Sequence, residues 1–291
     1  MSVFSAPAYD QHELVSFHTD ARTGLRAIIA VHNTVLGPGV GGCRMYPYAS
    51  DEEALHDVLR LSRGMTYKSA LAGLPLGGGK SVIIGDPHTQ KTRAMMLAMG
   101  DFVESQGGRY VAAEDSGTGV ADMHTMAERT GFVNGLEDNE HGGAPSPSTA
   151  LGVYLAIRTA VTHRLGVESV EGVTVAIQGL GHVGYYLARH LKADGARVLG
   201  ADVNQENLDR AVTDLGVEVV STQDILSAQA DVFAPCAMGA VLNSDTIAKL
   251  RSGIVAGAAN NQLATAEDGH ALQARGILYC PDFLINAGGI I

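Results

Sequence analysis

The sequence has no tryptophan, few aromatic residues (5%) and only three cysteines. Cys43, Cys236 and Cys280 are far apart and form no C-x-x-C pair, so neither a disulfide framework nor a cysteine zinc site is indicated. Unpaired thiols fit a reducing cytoplasm, which is the expected compartment. Positive charge is also scarce. Lys and Arg number 20 against 31 Asp and Glu, a formal net charge of -11, which argues against nucleic acid as a partner. No apolar run approaches a membrane span, so no membrane partner is expected, and the start M-S-V-F-S-A-P-A-Y-D lacks the basic and apolar parts of a signal peptide. The 11 histidines include no H-x-x-x-H or H-x-H spacing, and no metal is expected.

What is present is a chain of 291 residues, 46% hydrophobic, enough for two domains of ordinary size. Its most informative stretch is 65–86, M-T-Y-K-S-A-L-A-G-L-P-L-G-G-G-K-S-V-I-I-G-D. Lys68 and Lys80 lie there among apolar residues and glycines, and lysine is rarely buried without a reason. Desolvation and a second nearby cation both lower an ammonium pKa, and an amine poised near neutrality can act as a general base. The other reading of Lys80 is a stem that packs while its head reaches solvent. G-G-G-K-S is not a P-loop. Leu74 stands where that motif needs its first glycine, and an apolar strand, not a helix, follows the lysine.

Hydrophobic patterning predicts strands over 24–33, 41–46, 80–86 and 109–114, the last delivering Asp115 at its end. Ser50 with Glu53 forms a capping box, and Ala54, Val58, Leu61 and Met65 make one apolar helix face. That helix is expected to end near Tyr67, leaving Lys68 just past its C-terminus. Thr89 is expected to cap a methionine-rich helix through Val103. Residues 1–140 therefore read as an N-terminal α/β substrate-binding and catalytic domain. The Gly-, Pro- and Ser-rich stretch 139–148 reads as a hinge. Beyond it, a helix over 149–165, strands over 172–178 and 196–201, and short strands near 218–220, 232–234, 253–256 and 277–279 alternate with helices. Residues 141–291 thus read as a Rossmann-type doubly wound parallel domain.

The turn after the strand at 172–178 is Gly179-Leu180-Gly181-His182-Val183-Gly184, a G-x-G-x-x-G motif in the context it requires. A strand precedes it, a helix follows, and Asp202 ends the next strand about 20 residues on. Gly179 permits the tight turn, Gly181 the approach of a pyrophosphate, and Gly184 close helix–strand packing, with His182 and Val183 opening the helix. Asp202 would accept from a ribose 2′-hydroxyl. Val203, Asn204, Gln205 and Glu206 offer no basic group for a 2′-phosphate, so the expected cofactor is NAD. Cys236 and Ala237, at the end of a later strand, join the cofactor-binding set, with only packing expected of the Cys236 side chain.

Several motifs in order carry a family resemblance: G-P-G-V-G-G-C-R-M at 37–45, G-M-T-Y-K at 64–68, G-G-G-K at 77–80, A-E-D at 113–115, the dinucleotide turn, G-A-A-N-N-Q at 257–262 and P-D-F at 281–283. The chain resembles the amino acid dehydrogenase superfamily of glutamate, leucine, phenylalanine and valine dehydrogenases, and within it the leucine enzymes most. The resemblance implies roles. Lys68 would bind the substrate α-carboxylate. Lys80 would activate water for attack on an iminium intermediate, and Asp115 would exchange protons with the amino group. Gly41, Gly42 and Met65 would line the pocket, Asn261 would meet substrate and nicotinamide, and Thr149 the nicotinamide carboxamide. Taken alone, Asp115 could instead cap a helix and Asn261 could be a turn residue.

Ala113 and Glu114 before Asp115 favour branched aliphatic substrates, with phenylalanine the alternative. The implied reaction is NAD-dependent oxidative deamination of an L-amino acid to its 2-oxo acid and ammonia, by a homo-oligomer. The competing reading from another class is a non-catalytic NAD-binding regulator. Two departures from the pattern stand out. Cys43 replaces a common threonine, and the sequence stops at Ile291, where relatives continue with helices. A shortened or incompletely represented form is the expectation, its absent helical segment packing between the domains over part of the pocket.

Overall fold

The computed structural model describes residues 2–136, 145–237 and 239–291. It divides into two compact units, Met1–Ala144 and Pro145–Ile291. Most of the proposed hinge lies outside the described residues. Its last residues, from Ser146, already belong to a helix.

The first unit runs β1 (Leu14–Asp20), β2 (Leu25–Asn33), β3 (Gly39–Tyr46), α1 (Asp51–Leu71), β4 (Gly77–Ile84), α2 (Arg93–Glu104), β5 (Tyr110–Glu114) and α3 (Val120–Ala127). The sheet order is β1-β2-β4-β3-β5. β2 is antiparallel to β1 and β4, whereas β3 is parallel to β4 and β5. β2 is buried on both faces. Ile28 and Ala30 pack with Ala54, Val58 and Leu59 of α1, while Ala27, Ile29 and Val31 pack with Met95, Met99 and Phe102 of α2 and with Met123 and Met126 of α3. That two-sided burial is why the strand reads as one apolar run rather than an alternation.

Three expectations about this unit need correction. α1 continues to Leu71, so Lys68 lies inside its last turn. Nothing between Tyr67 and Ala72 breaks a helix, and the end comes where Gly73 takes φ 69°. The cap of α2 is Thr92, whose hydroxyl accepts from the Met95 amide at 3.2 Å; Thr89 instead donates to Asp86 at 2.9 Å. β4 begins at Gly77, so the three glycines are strand, not lead-in. The hairpin strand β1 has no counterpart among the strands that patterning predicts.

The second unit runs α4 (Ser146–Leu165), β6 (Thr174–Gln178), α5 (His182–Ala193), β7 (Arg197–Ala201), α6 (Gln205–Leu215), β8 (Glu218–Val219), β9 (Val232–Pro235), α7 (Ser244–Lys249), β10 (Ile254–Val255), α8 (Ala266–Ala274), β11 (Leu278–Tyr279) and α9 (Asp282–Ile285). All pairings are parallel, in the order β11-β10-β9-β6-β7-β8. This is the doubly wound order expected of a dinucleotide-binding sheet, with its direction reversing between β6 and β9. Apolar side chains of α4 and α5 cover one face, and those of α7 and α8 the other. Among the described residues no helix is long and apolar enough to cross a membrane.

Candidate active site

In the first unit, strands β3, β4 and β5 bring Lys80 and Asp115 together. Ala30, paired with Lys80, packs on α1, and Gly78 meets α1 directly. Strand alternation puts Lys80 on that same face. A Cβ on Gly78 would come within 2.1 Å of Thr66 Oγ1, and one on Gly41 within 1.8 Å of the Gly79 carbonyl. The glycines therefore let the α1 and β3 backbones close on β4. Gly42 leaves room for the carboxylate, since a Cβ there would lie 2.6 Å from Asp115 Cβ.

Lys80 is buried (4% exposed) and its ammonium donates to Asp115 Oδ2. Arg44 Nη2 lies 3.5 Å from Asp115 Oδ1, and the Ser116 amide donates to the same oxygen at 2.5 Å. Burial alone would raise the Asp115 carboxyl, but Lys80 and then Arg44 hold it well below the usual carboxylate range. Asp115 is not a helix cap. Gly119 occupies the N-cap of α3, and its amide donates to Asp122 at 3.0 Å. The Thr118 hydroxyl instead braces the Asp115 turn, donating to the Cys43 carbonyl at 2.7 Å and accepting from the Asp115 amide at 3.1 Å.

Met65 and Lys68 sit on α1, both buried, with Met65 Cγ 3.4 Å from where a Gly41 Cβ would be. Ala113 pairs with Gly42 and Glu114 with Cys43 across β3 and β5. Burial pushes the Cys43 thiol up to about 12, so it is a packing residue beside the pair. The structure also adds residues to which sequence reasoning assigns no role. Arg44 Nη1 donates to Asp57 Oδ2 at 2.9 Å, and the Tyr48 hydroxyl donates to that oxygen at 2.6 Å. The available signal is an arginine embedded in the glycine-rich 37–45 stretch. Among the described residues no group of three His, Cys, Asp or Glu is placed to hold a metal ion.

In the second unit, Gly179 takes φ 96°, and a Cβ on Gly184 would lie 1.9 Å from the Gly179 carbonyl. Gly181 faces open space, with nothing within 4 Å of where a Cβ would be. A tight turn, a packed helix and an open cradle at the N-terminus of α5 suit a pyrophosphate. His182 is exposed and Val183 half-buried at the start of α5. The Cys236 amide donates to the Gln178 carbonyl at 2.7 Å, and Ala237 flanks Gly179. Burial pushes the Cys236 thiol up to about 12. Asp202 Oδ2 accepts from the Leu180 amide at 2.7 Å, and Oδ1 from the Asn204 amide at 2.8 Å, so this carboxylate also braces the glycine turn. Thr149 lies in the first turn of α4. Asn261 takes φ 52°, and its amide donates to Asp282 at 2.6 Å.

Residues 11–131 match the family model described as Glu/Leu/Phe/Val dehydrogenase, dimerisation domain, and residues 144–205 and 201–291 match that of Glutamate/Leucine/Phenylalanine/Valine dehydrogenase. The chain is 50% identical over 284 residues to leucine dehydrogenase of Thermoactinomyces intermedius, covering 97% of this chain and 77% of that one. It is 49% identical over 287 residues to phenylalanine dehydrogenase of Bacillus thermotolerans, covering 97% and 75%. Among solved structures, L-tryptophan dehydrogenase from Nostoc punctiforme superposes with a TM-score of 0.73 at 43% identity, over 96% of this chain and 80% of that one. Matched along nearly its whole length in sequence and in fold, the chain belongs to the glutamate/leucine/phenylalanine/valine dehydrogenase family of amino acid dehydrogenases.

Proposed function

We propose that this protein catalyses the reversible, NAD-dependent oxidative deamination of a branched aliphatic L-amino acid to its 2-oxo acid and ammonia. The buried Lys80–Asp115 pair on a glycine floor carries the reading. Lys68 holds the substrate carboxylate through a charge-assisted hydrogen bond. Asp115 takes a proton from the substrate ammonium, leaving a neutral amine whose lone pair forms the iminium as the hydride leaves Cα. Bound NAD supplies the hydride acceptor. Lys80, as the neutral amine once its ammonium proton has passed to solvent, takes a proton from the water that adds to the substrate iminium; Asp115 then returns its proton to the nitrogen, and the carbinolamine hydroxyl gives up its proton as ammonia leaves and the 2-oxo group forms. The apolar and glycine lining around Met65, Gly41 and Gly42 suits an uncharged side chain. Gly179, Gly181 and Gly184 would cradle the cofactor pyrophosphate, and Asp202 would face its adenosine ribose. Asn261 and Thr149 would meet the nicotinamide side.

The 49% identity to a phenylalanine dehydrogenase supports an aromatic substrate as the second reading. A panel of L-amino acids with NAD, followed by NADH absorbance, separates the two. Leucine, valine and isoleucine should lead; phenylalanine in front would favour the second reading. No NADH from any amino acid, with folded protein that binds NAD, would favour a non-catalytic regulator. The dimerisation-domain match supports a homo-oligomer, testable by light scattering as a mass at least double the 30.3 kDa of the chain. Three unpaired cysteines support a cytoplasmic location.

A further inference from the structure

Four charged side chains from four elements form one connected set: buried Arg44 from β3 and Lys80 from β4, with half-buried Asp57 from α1 and Asp115 at the end of β5. Two cations face two anions, so the set is balanced. Arg44 and Asp57 are the members with no assigned role, and the placement of Arg44 is specific. It is 7% exposed, and its two terminal nitrogens reach two different carboxylates, Asp57 at 2.9 Å and Asp115 at 3.5 Å. Its Nε is buried and without a partner among the described residues. A guanidinium can satisfy both edges of one carboxylate in a fork. This one leaves a donor unmade and spans two carboxylates instead, an orientation that packing or stability alone does not call for.

We propose that Arg44 is a positioning residue for the reaction. It fixes Asp115 Oδ1 from β3 so that Oδ2 stays aimed at Lys80, while Asp57 and the Tyr48 hydroxyl hold the guanidinium itself. The inference rests on the role given above to Asp115 as the group that exchanges protons with the substrate amine. The groups around Asp115 are Lys80 from β4, Arg44 and Cys43 from β3, Tyr110 from β5, Tyr48 from the β3–α1 connection and, behind Arg44, Asp57 from α1. Beside its turn, Lys91 donates to the Gly117 carbonyl at 3.0 Å and to Asp122 at 2.8 Å. Of these, Lys80 and Arg44 are the cations that lower the Asp115 carboxyl, so removing Arg44 raises it.

The test uses Arg44→Met, Arg44→Lys and Asp57→Asn in the full chain, with folding checked by circular dichroism. Arg44→Met should lower kcat about 10- to 100-fold, the scale of a misplaced catalytic group, while KM for the amino acid changes by less than about threefold. Arg44→Lys keeps the charge but can reach only one carboxylate, so kcat should stay low. Full recovery of kcat with lysine would show that charge alone matters and would overturn positioning. A rise in KM at unchanged kcat would make Arg44 a substrate contact and would overturn positioning equally. Should Arg44→Met fail to fold, Asp57→Asn decides: kcat must fall about tenfold at constant KM, as expected when the support of a positioned group is lost. A second readout needs no turnover. The ¹³C chemical shift of the Asp115 carboxyl, identified by its loss in Asp115→Asn, should differ between Arg44→Met and the wild type at neutral pH, because the Oδ1 contact at 3.5 Å is gone. A wild type that oxidises no amino acid would sink the proposed function, yet this shift would still decide the positioning. An unchanged Asp115 resonance in folded Arg44→Met would refute it.

Discussion

Removing Asp115 alone should cost at least as much as removing both halves of the Lys80–Asp115 pair. The side chains are 5% and 13% exposed, so neither charge is rescued by water. Asp115→Asn keeps the shape but leaves the Lys80 ammonium as an excess buried cation, since Arg44 is already matched by Asp57 at 2.9 Å. Breaking a buried pair from one side typically costs about 3–5 kcal/mol, and the remaining amide oxygen of Asn places this case near about 3 kcal/mol. Lys80→Met is milder, about 1–2 kcal/mol, because Asp115 keeps Arg44 and the Ser116 amide. The double variant restores charge balance through Arg44 and Asp57 alone. It should therefore be no less stable than Asp115→Asn, a coupling of about 1–3 kcal/mol relative to additivity. Urea unfolding followed by far-ultraviolet circular dichroism and by tyrosine fluorescence measures all four proteins; with no tryptophan in the chain, the tyrosine signal is unmasked. Strict additivity, or singles within about 0.5 kcal/mol of wild type, would show that the pair is not electrostatically coupled.

Other expectations concern single positions. Lys80→Ala should reduce kcat by about 10²–10⁴-fold, whereas Lys68→Ala should chiefly raise KM for the amino acid; near-native kcat in Lys80→Ala would remove its catalytic role. Gly181→Ala should fold normally but bind NAD more weakly by calorimetry, whereas Gly184→Ala, whose methyl would meet the Gly179 carbonyl at 1.9 Å, should lose stability; equal stabilities would contradict this packing. Asp202→Ser combined with Val203→Arg should admit NADP, read as the NAD/NADP ratio of kcat/KM, and no change in that ratio would mean that another residue reads the ribose. Burial lowers the His12 imidazole from 6.5 to about 4. The unfolded chain therefore binds this proton first, and stability should fall between about pH 6.5 and pH 4, by up to about 3 kcal/mol, a slope that His12→Gln should reduce in urea melts at stepped pH.

Much of the candidate site is legible in the sequence because its residues lie in contiguous motifs. G-G-G-K, A-E-D and G-L-G-H-V-G each sit within one turn or strand, and local spacing fixes what they can do. What escaped depends on pairing across distance. Arg44 and Asp57 lie on a strand and on the next helix, and only the packing of α1 on the sheet makes them partners. The position of Asp202 in the sequence points to a ribose ligand, while its bond to the Leu180 amide is a consequence of the β6–β7 register. α1 runs past its expected end because Lys68-Ser69-Ala70-Leu71 carries no stop signal and apolar periodicity fades before the helix does. β1 alternates weakly, with half-buried and exposed residues, and acquires its identity from antiparallel pairing with β2.

The glycine run of β4 has a consequence for how this site can change. Lys80 faces α1 because its parity along the strand matches that of Gly78 and Val82. One residue inserted among Gly77, Gly78 and Gly79, or removed from them, would turn the ammonium to the opposite side of the sheet, into the methionine-rich layer against α2. Substitutions can tune the strength of the Lys80–Asp115 bond by degrees. Chain length at this point acts as a parity bit: it is either right or inverted, with no intermediate setting.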